Sequence, residues 1–335
     1  MFVPYLFGEL TMHVLITGGA GFIGSHLVKH HLSKGDNVHV IDDLSTGSMD
    51  NIKPYLDNNK FSFSEADIVT WDEMDEAVEW AERIYHLAAV VGVKRVLEDP
   101  VAVLSTNLQG TERLLQMIHE VGEDPEVLIA SSSEVYGFNK NKVFSEHDDI
   151  VFISDEILRW DYAVSKLADE HLAYAYYYKY NMKVVTVRLF NTIGPKQAGR
   201  YGMVVPNFIK EAVENRPIVV FGTGKQTRSF CDVRDTVKVL DTLTGSTDAC
   251  GKIINVGNDQ EISIENLARS IKALAESSSK VQYKTYKEAY GRDFIDIDHR
   301  RPSLELLKKI TGFQPEWKLE DTLKDLIKRF EKEAR

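Results

Sequence analysis

An α/β fold built on a doubly wound parallel sheet, with a smaller discontinuous C-terminal lobe, is what this 335-residue sequence predicts. Three observations carry that expectation. Short apolar strands alternate with helical patterns through the first half, a glycine cluster joins the first strand to the first helix, and the alternation breaks after Gly194-Pro195. The first strand reads HVLIT over 13–17 and runs into Gly18-Gly19-Ala20-Gly21-Phe22-Ile23-Gly24, after which SHLVKHHLSKG has helical spacing. A second strand, NVHVI over 37–41, ends in Asp42-Asp43, and further strands are expected at 83–87, 126–130 and 183–187. Strands and helices alternating in this way give a parallel sheet covered on both faces, wound as a Rossmann-type fold. Pro206, Pro217, the turn Gly222-Thr223-Gly224 and Arg301-Pro302 ahead of a short amphipathic C-terminal helix mark the second lobe.

Hydrophobic residues are 43% and charged residues 27% of the chain, a globular composition that excludes disorder as the main state. The net charge of −11 argues against nucleic acid as a partner. The two cysteines, Cys231 and Cys250, form no metal or disulfide pattern, which fits a reducing, cytoplasmic setting. No apolar run is long enough to span a membrane, and no histidine constellation indicates a metal. His30-His31 reads as a helix surface.

Gly18, Gly21 and Gly24 each have a physical role. The first permits a tight turn, the next lets the backbone approach a pyrophosphate, and the last lets the helix pack on the strand. An acid at the end of the next strand completes the dinucleotide context, with Asp42 or Asp43 meeting the adenosine ribose. A carboxylate there repels a 2′-phosphate, so NAD is expected over NADP. Residues 12–190 are therefore expected to form the NAD-binding domain, completed by about 228–258; 191–227 and 259–335 form the substrate lobe, and 1–11 an extension.

Tyr162 and Lys166 lie one helical turn apart, so the ammonium can approach the phenol and, together with a positive nicotinamide, lower its pKa. Upstream, SSSEVYG over 131–137 follows the strand EVLIA, placing hydroxyls and a carboxylate at a strand's C-terminal end, where such sheets bind ligands.

Together TGGAGFIG (17–24), HLAA (86–89), SSSEVYG and YAVSK (162–166) resemble the extended short-chain dehydrogenase/reductase superfamily, from Met12 onward. The resemblance implies a triad of Ser132, Tyr162 and Lys166, with Tyr162 exchanging a proton with a sugar hydroxyl and Lys166 also holding the nicotinamide ribose. It implies cofactor contacts from Phe22, Ile23, Leu87, Ala88 and Ala89, an adenine contact from Asp67-Ile68, and support of the site by Asn107. RLFNTIGP (188–195) and QTRSF (226–230) resemble the segments of nucleotide-sugar enzymes that meet the diphosphate, which implies Asn191 as a donor and Arg228 as the anion clamp. Homodimerisation through the Tyr162 and Asn107 helices is also implied.

Within the superfamily, Ser133-Glu134, Arg159-Trp160, Tyr290-Gly291 and Asp298-His299-Arg300-Arg301-Pro302-Ser303 resemble UDP-glucuronic acid decarboxylases, which carries Ser133, Glu134 and Arg300 over to the sugar's C5 and C6. All readings begin with oxidation at C4, after which decarboxylation, 4-epimerisation and 4,6-dehydration diverge. Decarboxylation of UDP-glucuronate to UDP-xylose or a 4-keto-pentose ranks first and 4-epimerisation of a UDP-sugar second. Dehydration follows: Ser133 stands where nucleoside-diphosphoglucose dehydratases carry an aspartate, while the Ser133-Glu134 pair also resembles GDP-mannose 4,6-dehydratases. A non-enzymatic NAD-binding protein is disfavoured by the intact triad.

Overall fold

The computed structural model describes residues 11–91, 99–153, 157–197, 199, 203–290 and 297–333. Of the expected motif residues, the side chains of Arg159 and Tyr290 and all of Gly291 lie outside the described residues. Seven strands form the central sheet: β1 (His13–Thr17), β2 (Asn37–Asp42), β3 (Phe61–Glu65), β4 (Arg83–His86), β5 (Glu126–Ser132), β6 (Val184–Leu189) and β7 (Ile253–Val256). Their order is β7-β6-β5-β4-β1-β2-β3, and every pairing is parallel. The chain reverses its direction of winding between β1 and β4, and the crevice at that point is where such a sheet takes ligands.

Helices cover both faces. Helix α1 (Phe22–Lys34) and, later in the chain, α5 (Val233–Thr244) close one face around Val14, Ile16, Leu27, Val28 and Leu240. Helices α2 (Met74–Trp80), α3 (Pro100–Val121) and α4 (Ile157–Tyr180) close the other around Leu15, Ile84, Leu114, Ile118 and Ile129. These side chains are essentially inaccessible to water, and each stabilises the fold by about 1.5–3 kcal/mol. Asp99 caps α3 by accepting from the Ala102 amide at 3.0 Å, Pro100 opens the helix, and Gly122 closes it in the left-handed region.

The lobe has its own core of Val205, Ile209, Leu267, Ile271, Leu323 and Ile327. Two helices follow Arg301-Pro302 instead of the one expected, Glu305–Thr311 and Leu319–Glu333. The first carries Leu307, which with Leu304 packs into the core of α1 and α5, and only the second packs into the lobe. No helix among the described residues is long and apolar enough to cross a membrane.

His31 departs from the expected helix surface. It is fully buried, with Nδ1 2.8 Å from Asp36 and Nε2 3.0 Å from the Tyr85 hydroxyl, while His30 pairs with Asp241 at 2.8 Å. Two adjacent histidines on a helix face in different directions, so the pair cannot share a single environment. Burial pulls the His31 pKa from 6.5 to about 4, against the pull of Asp36. The unfolded chain takes up that proton below pH 6.5 and the folded chain does not, so stability falls as pH drops from about 6.5 to about 4. The loss from this one group is on the order of 3 kcal/mol. Urea unfolding at pH 7 and pH 5 should show about 2 kcal/mol of it, and His31→Gln should flatten that difference.

Candidate active site

The turn between β1 and α1 is built as a cradle. Gly18 has φ +71°, and a Cβ there would lie 2.7 Å from the Ala88 amide nitrogen, so neither backbone nor neighbours admit a side chain. A Cβ on Gly24 would lie 2.3 Å from the Gly18 carbonyl oxygen, the close packing of helix on turn that the spacing requires. Gly21 is the residue ahead of α1 and supplies no capping side chain, so the first amides of the helix remain available to an anion.

Asp42 ends β2 with Oδ2 accepting from the Ala20 amide at 2.9 Å and Oδ1 from Leu44 at 2.9 Å. It is nearly buried, and that burial raises its pKa despite the two amides. Asp43 accepts from the Ser45 amide, and Asp67 from the Val69 amide at 2.8 Å. Each of these carboxylates shapes its own loop and retains lone pairs for a ligand.

After β4, the loop Leu87-Ala88-Ala89 lies against the glycine turn. Asn107 holds it from α3, with Oδ1 accepting from the Val90 amide at 2.7 Å and Nδ2 donating to the Ser165 hydroxyl of α4 at 3.1 Å. His86 bridges Thr17 (2.8 Å) and Thr111 (3.1 Å), and burial, with Lys166 adding to it, holds its pKa down at about 3. It is a neutral strut at working pH.

Strand β5 delivers Ser131, Ser132, Ser133 and Glu134 to its C-terminal end. Ser131 is drawn inward to Glu170 at 2.6 Å, while Ser132 Oγ accepts from the Glu134 amide and caps the following turn. Across from them α4 presents Tyr162 and Lys166. The lysine is 2% exposed, and its Nζ donates to Asp169 at 3.1 Å. Without the nicotinamide, Lys166 does not by itself depress the phenol. Burial raises the Tyr162 pKa and outweighs Lys166 and the hydrogen bond from Ser132, while Glu134 and Asp169 push it further up. For Lys166, burial disfavours the charge, but Asp169 and Tyr162 outweigh it and the pKa is raised.

From the lobe, Asn191 donates to the Ser229 carbonyl at 3.0 Å, and Arg228 is oriented by the carbonyls of Thr227 (2.7 Å) and Ile297 (2.8 Å). Arg300, 8% exposed, reaches Glu134 Oε1 at 2.6 Å. Its Nε is buried without a hydrogen-bond partner among the described residues.

These residues share one cleft of about 1190 Å³, beyond the usual size for a single small ligand and suited to a dinucleotide and a second nucleotide together. Every residue expected at the site lines it except Asn107, which is buried behind the wall it supports. Sequence reading missed Asn51, Lys196, Gln197, Gln226 and Tyr286, which also line it. Lys196 spans the lobes by donating to the Asn51 carbonyl at 2.7 Å; an isolated lysine after Gly-Pro has no spacing that announces this. The glycine cradle, the uncapped helix and the acid at the end of β2 fit a dinucleotide.

The family model described as GDP-mannose 4,6 dehydratase matches residues 15–326. UDP-N-acetyl-alpha-D-glucosaminuronate decarboxylase of Bacillus cytotoxicus is 35% identical over 318 residues, 94% of this chain and 97% of that protein. UDP-glucuronic acid decarboxylase 1 of Xenopus tropicalis is 34% identical over 334 residues, 99% of this chain and 75% of that protein. Among solved structures, the UDP-glucuronic acid 4-epimerase of Bacillus cereus, in complex with UDP-glucuronic acid and NAD, has a TM-score of 0.84 at 26% identity and covers 95% of this chain and 99% of that one. Since the family match takes in the glycine turn, both walls of the cleft and the lobe, the chain belongs to the GDP-mannose 4,6 dehydratase family of extended short-chain dehydrogenases/reductases.

Proposed function

We propose that this chain is an NAD-dependent UDP-hexuronate decarboxylase, with UDP-glucuronate the favoured substrate and UDP-xylose or the 4-keto-pentose the product. The observation that carries the choice is Arg300. A nearly buried guanidinium, paired with Glu134 on one side and lacking a partner at Nε among the described residues, is a costly arrangement that an anion in the cleft would relieve. A carboxylate at sugar C6 supplies that anion, whereas a neutral hexose does not. The identity shared with two decarboxylases of UDP-hexuronates supports the same reading.

In this reading the glycine turn would hold NAD, which would supply the two-electron acceptor for C4 and, where UDP-xylose is the product, the hydride for its reduction. Tyr162 takes the proton of the C4 hydroxyl, with Ser132 hydrogen-bonded to the same oxygen. The resulting 4-ketone is β to the C6 carboxylate, so the C5–C6 bond breaks with its electrons entering an enolate and CO2 departing. Ser133 and Tyr162 hydrogen-bond the enolate oxygen, and Glu134 carries a proton from water to C5. Tyr162 then returns its proton as C4 is reduced. Each positioned acid or base contributes about 10²- to 10⁴-fold.

Asn191 and Arg228 bind the diphosphate, and the remaining cofactor contacts fall to Phe22, Ile23, Asp42, Asp43, Asp67, Ile68, Leu87, Ala88 and Ala89. Residues 12–190 with about 228–258 serve the cofactor, and 191–227 with 259–335 the substrate. The homodimer belongs to the same proposal, supported by the exposed Leu108 of α3 and Tyr174 and Tyr178 of α4.

Incubation with UDP-glucuronate and NAD, followed by mass spectrometry of the sugar nucleotide, is expected to give a UDP-pentose. An unchanged mass with a shifted retention time would assign the chain to 4-epimerisation instead.

A further inference from the structure

We propose that Asp169 is a positioning residue that anchors the Lys166 ammonium from within α4 and sets how firmly Tyr162 holds its proton. The carboxylate is fully buried, one turn beyond Lys166, and Oδ2 accepts from Nζ at 3.1 Å. Its Oδ1 has no hydrogen-bond partner among the described residues, although the Thr111 hydroxyl of α3 is close enough to favour the charged form. Burial raises the pKa of this carboxylate, and among the described residues the cation bonded to it is the lysine of the reacting pair.

Two consequences follow from the geometry. An ammonium has three donors, and committing one to Asp169 fixes Nζ in place at the wall of the cleft, with two donors left over. Burial is the main reason that the phenol is raised in the protein alone, and Asp169 adds to it by offsetting the positive charge of Lys166. Among the described groups around the pair, Asp169 is the one bonded to the Lys166 ammonium. Glu134 also opposes ionisation of the phenol, but it is tied to Arg300 from the lobe. Glu170, the next residue on α4, is held bidentately by Arg188 of β6 at 2.9 and 2.8 Å and takes the Ser131 hydroxyl. His86 of β4 faces Lys166 as a neutral ring. With Asp169 in place the phenol holds its proton more firmly, and positive charge added to the cleft opposes that hold. That balance suits a reaction in which one tyrosine must both accept and return a proton.

This inference rests on the reading of Tyr162 and Lys166 as the proton-handling pair, but its test needs no turnover. Tyrosines isotope-labelled at the oxygen-bearing ring carbon are followed by NMR against pH, in the protein alone and with NAD added, and the Tyr162 signal is assigned by its loss in Tyr162→Phe. Asp169→Asn is expected to lower the Tyr162 midpoint by about one pH unit, a tenfold loss of proton affinity. Asp169→Ala, which leaves no polar group in the buried site, should shift it in the same direction. Midpoints unchanged in folded variants would overturn the proposal, as would failure of both variants to fold, which would assign Asp169 to the fold alone. A wild type that leaves UDP-glucuronate untouched would overturn the decarboxylase reading, and the titration would still decide the role of Asp169.

Discussion

Tyr162→Phe is expected to lower turnover of UDP-glucuronate by about 10²- to 10⁴-fold while leaving NAD and sugar-nucleotide binding within a few-fold of wild type. The substitution removes one oxygen and keeps the ring, so the wall of the cleft survives. What is lost is the group that takes the C4 proton. Steady-state rates together with calorimetric titration of each ligand separate the two effects. An equal loss of binding and turnover would show that the hydroxyl only holds the substrate. The expected pH dependence has the same origin: because burial raises the phenol, the rate of the protein should climb toward alkaline pH.

The second large effect is expected at the cofactor turn. In Gly18→Val the new side chain would overlap the backbone of Leu87 and Ala88, and the residue would be held at φ +71°, where a β-branched residue is strained. Left-handed backbone alone costs about 1–2 kcal/mol, and relief of the overlap must displace either the turn or the loop after β4. Both line the cofactor side of the cleft. NAD affinity should therefore fall by about 10- to 100-fold, at roughly 1.4 kcal/mol per factor of ten. Thermal shift on adding NAD reads this directly, with large stabilisation of the wild type and little of the variant. Gly122→Ala is the control, since it also has positive φ but has nothing within 4 Å of its Cβ.

The sheet was legible in the sequence where both faces are buried. HVLIT and EVLIA are near-continuous apolar runs, and the structure begins β1 and β5 at the expected residues. Strand β3 escaped notice because FSFSE sits at the sheet edge with half of its side chains toward water, so its pattern is that of a polar segment. Strand β7 is four residues long and pairs with β6 across a large sequence separation, which no local pattern records. The cofactor turn was legible because glycines are forced there by backbone geometry. Arg300, Arg228 and Asn191 came from resemblance, since nothing in their spacing brings residues this far apart to one cleft. Asp169 and His31 were missed for a common reason. A charged or titratable residue on a helix is ordinarily solvated, and only the packing of α4 against the sheet and α3, or of α1 against α5, shows that these two are sealed inside.

The central claim is that the substrate loses its C6 carboxylate in a cleft where Arg300 and Glu134 meet Tyr162. Its most direct test is to supply UDP-glucuronate isotope-labelled at C6 and ask where the label goes. The label is expected to leave as CO2, with NAD spared where UDP-xylose forms and consumed where the 4-keto-pentose is released, and Tyr162→Phe should suppress the release. Label retained in a sugar nucleotide that has nonetheless changed configuration would contradict it, and would make the chain a 4-epimerase that holds the carboxylate without cleaving it.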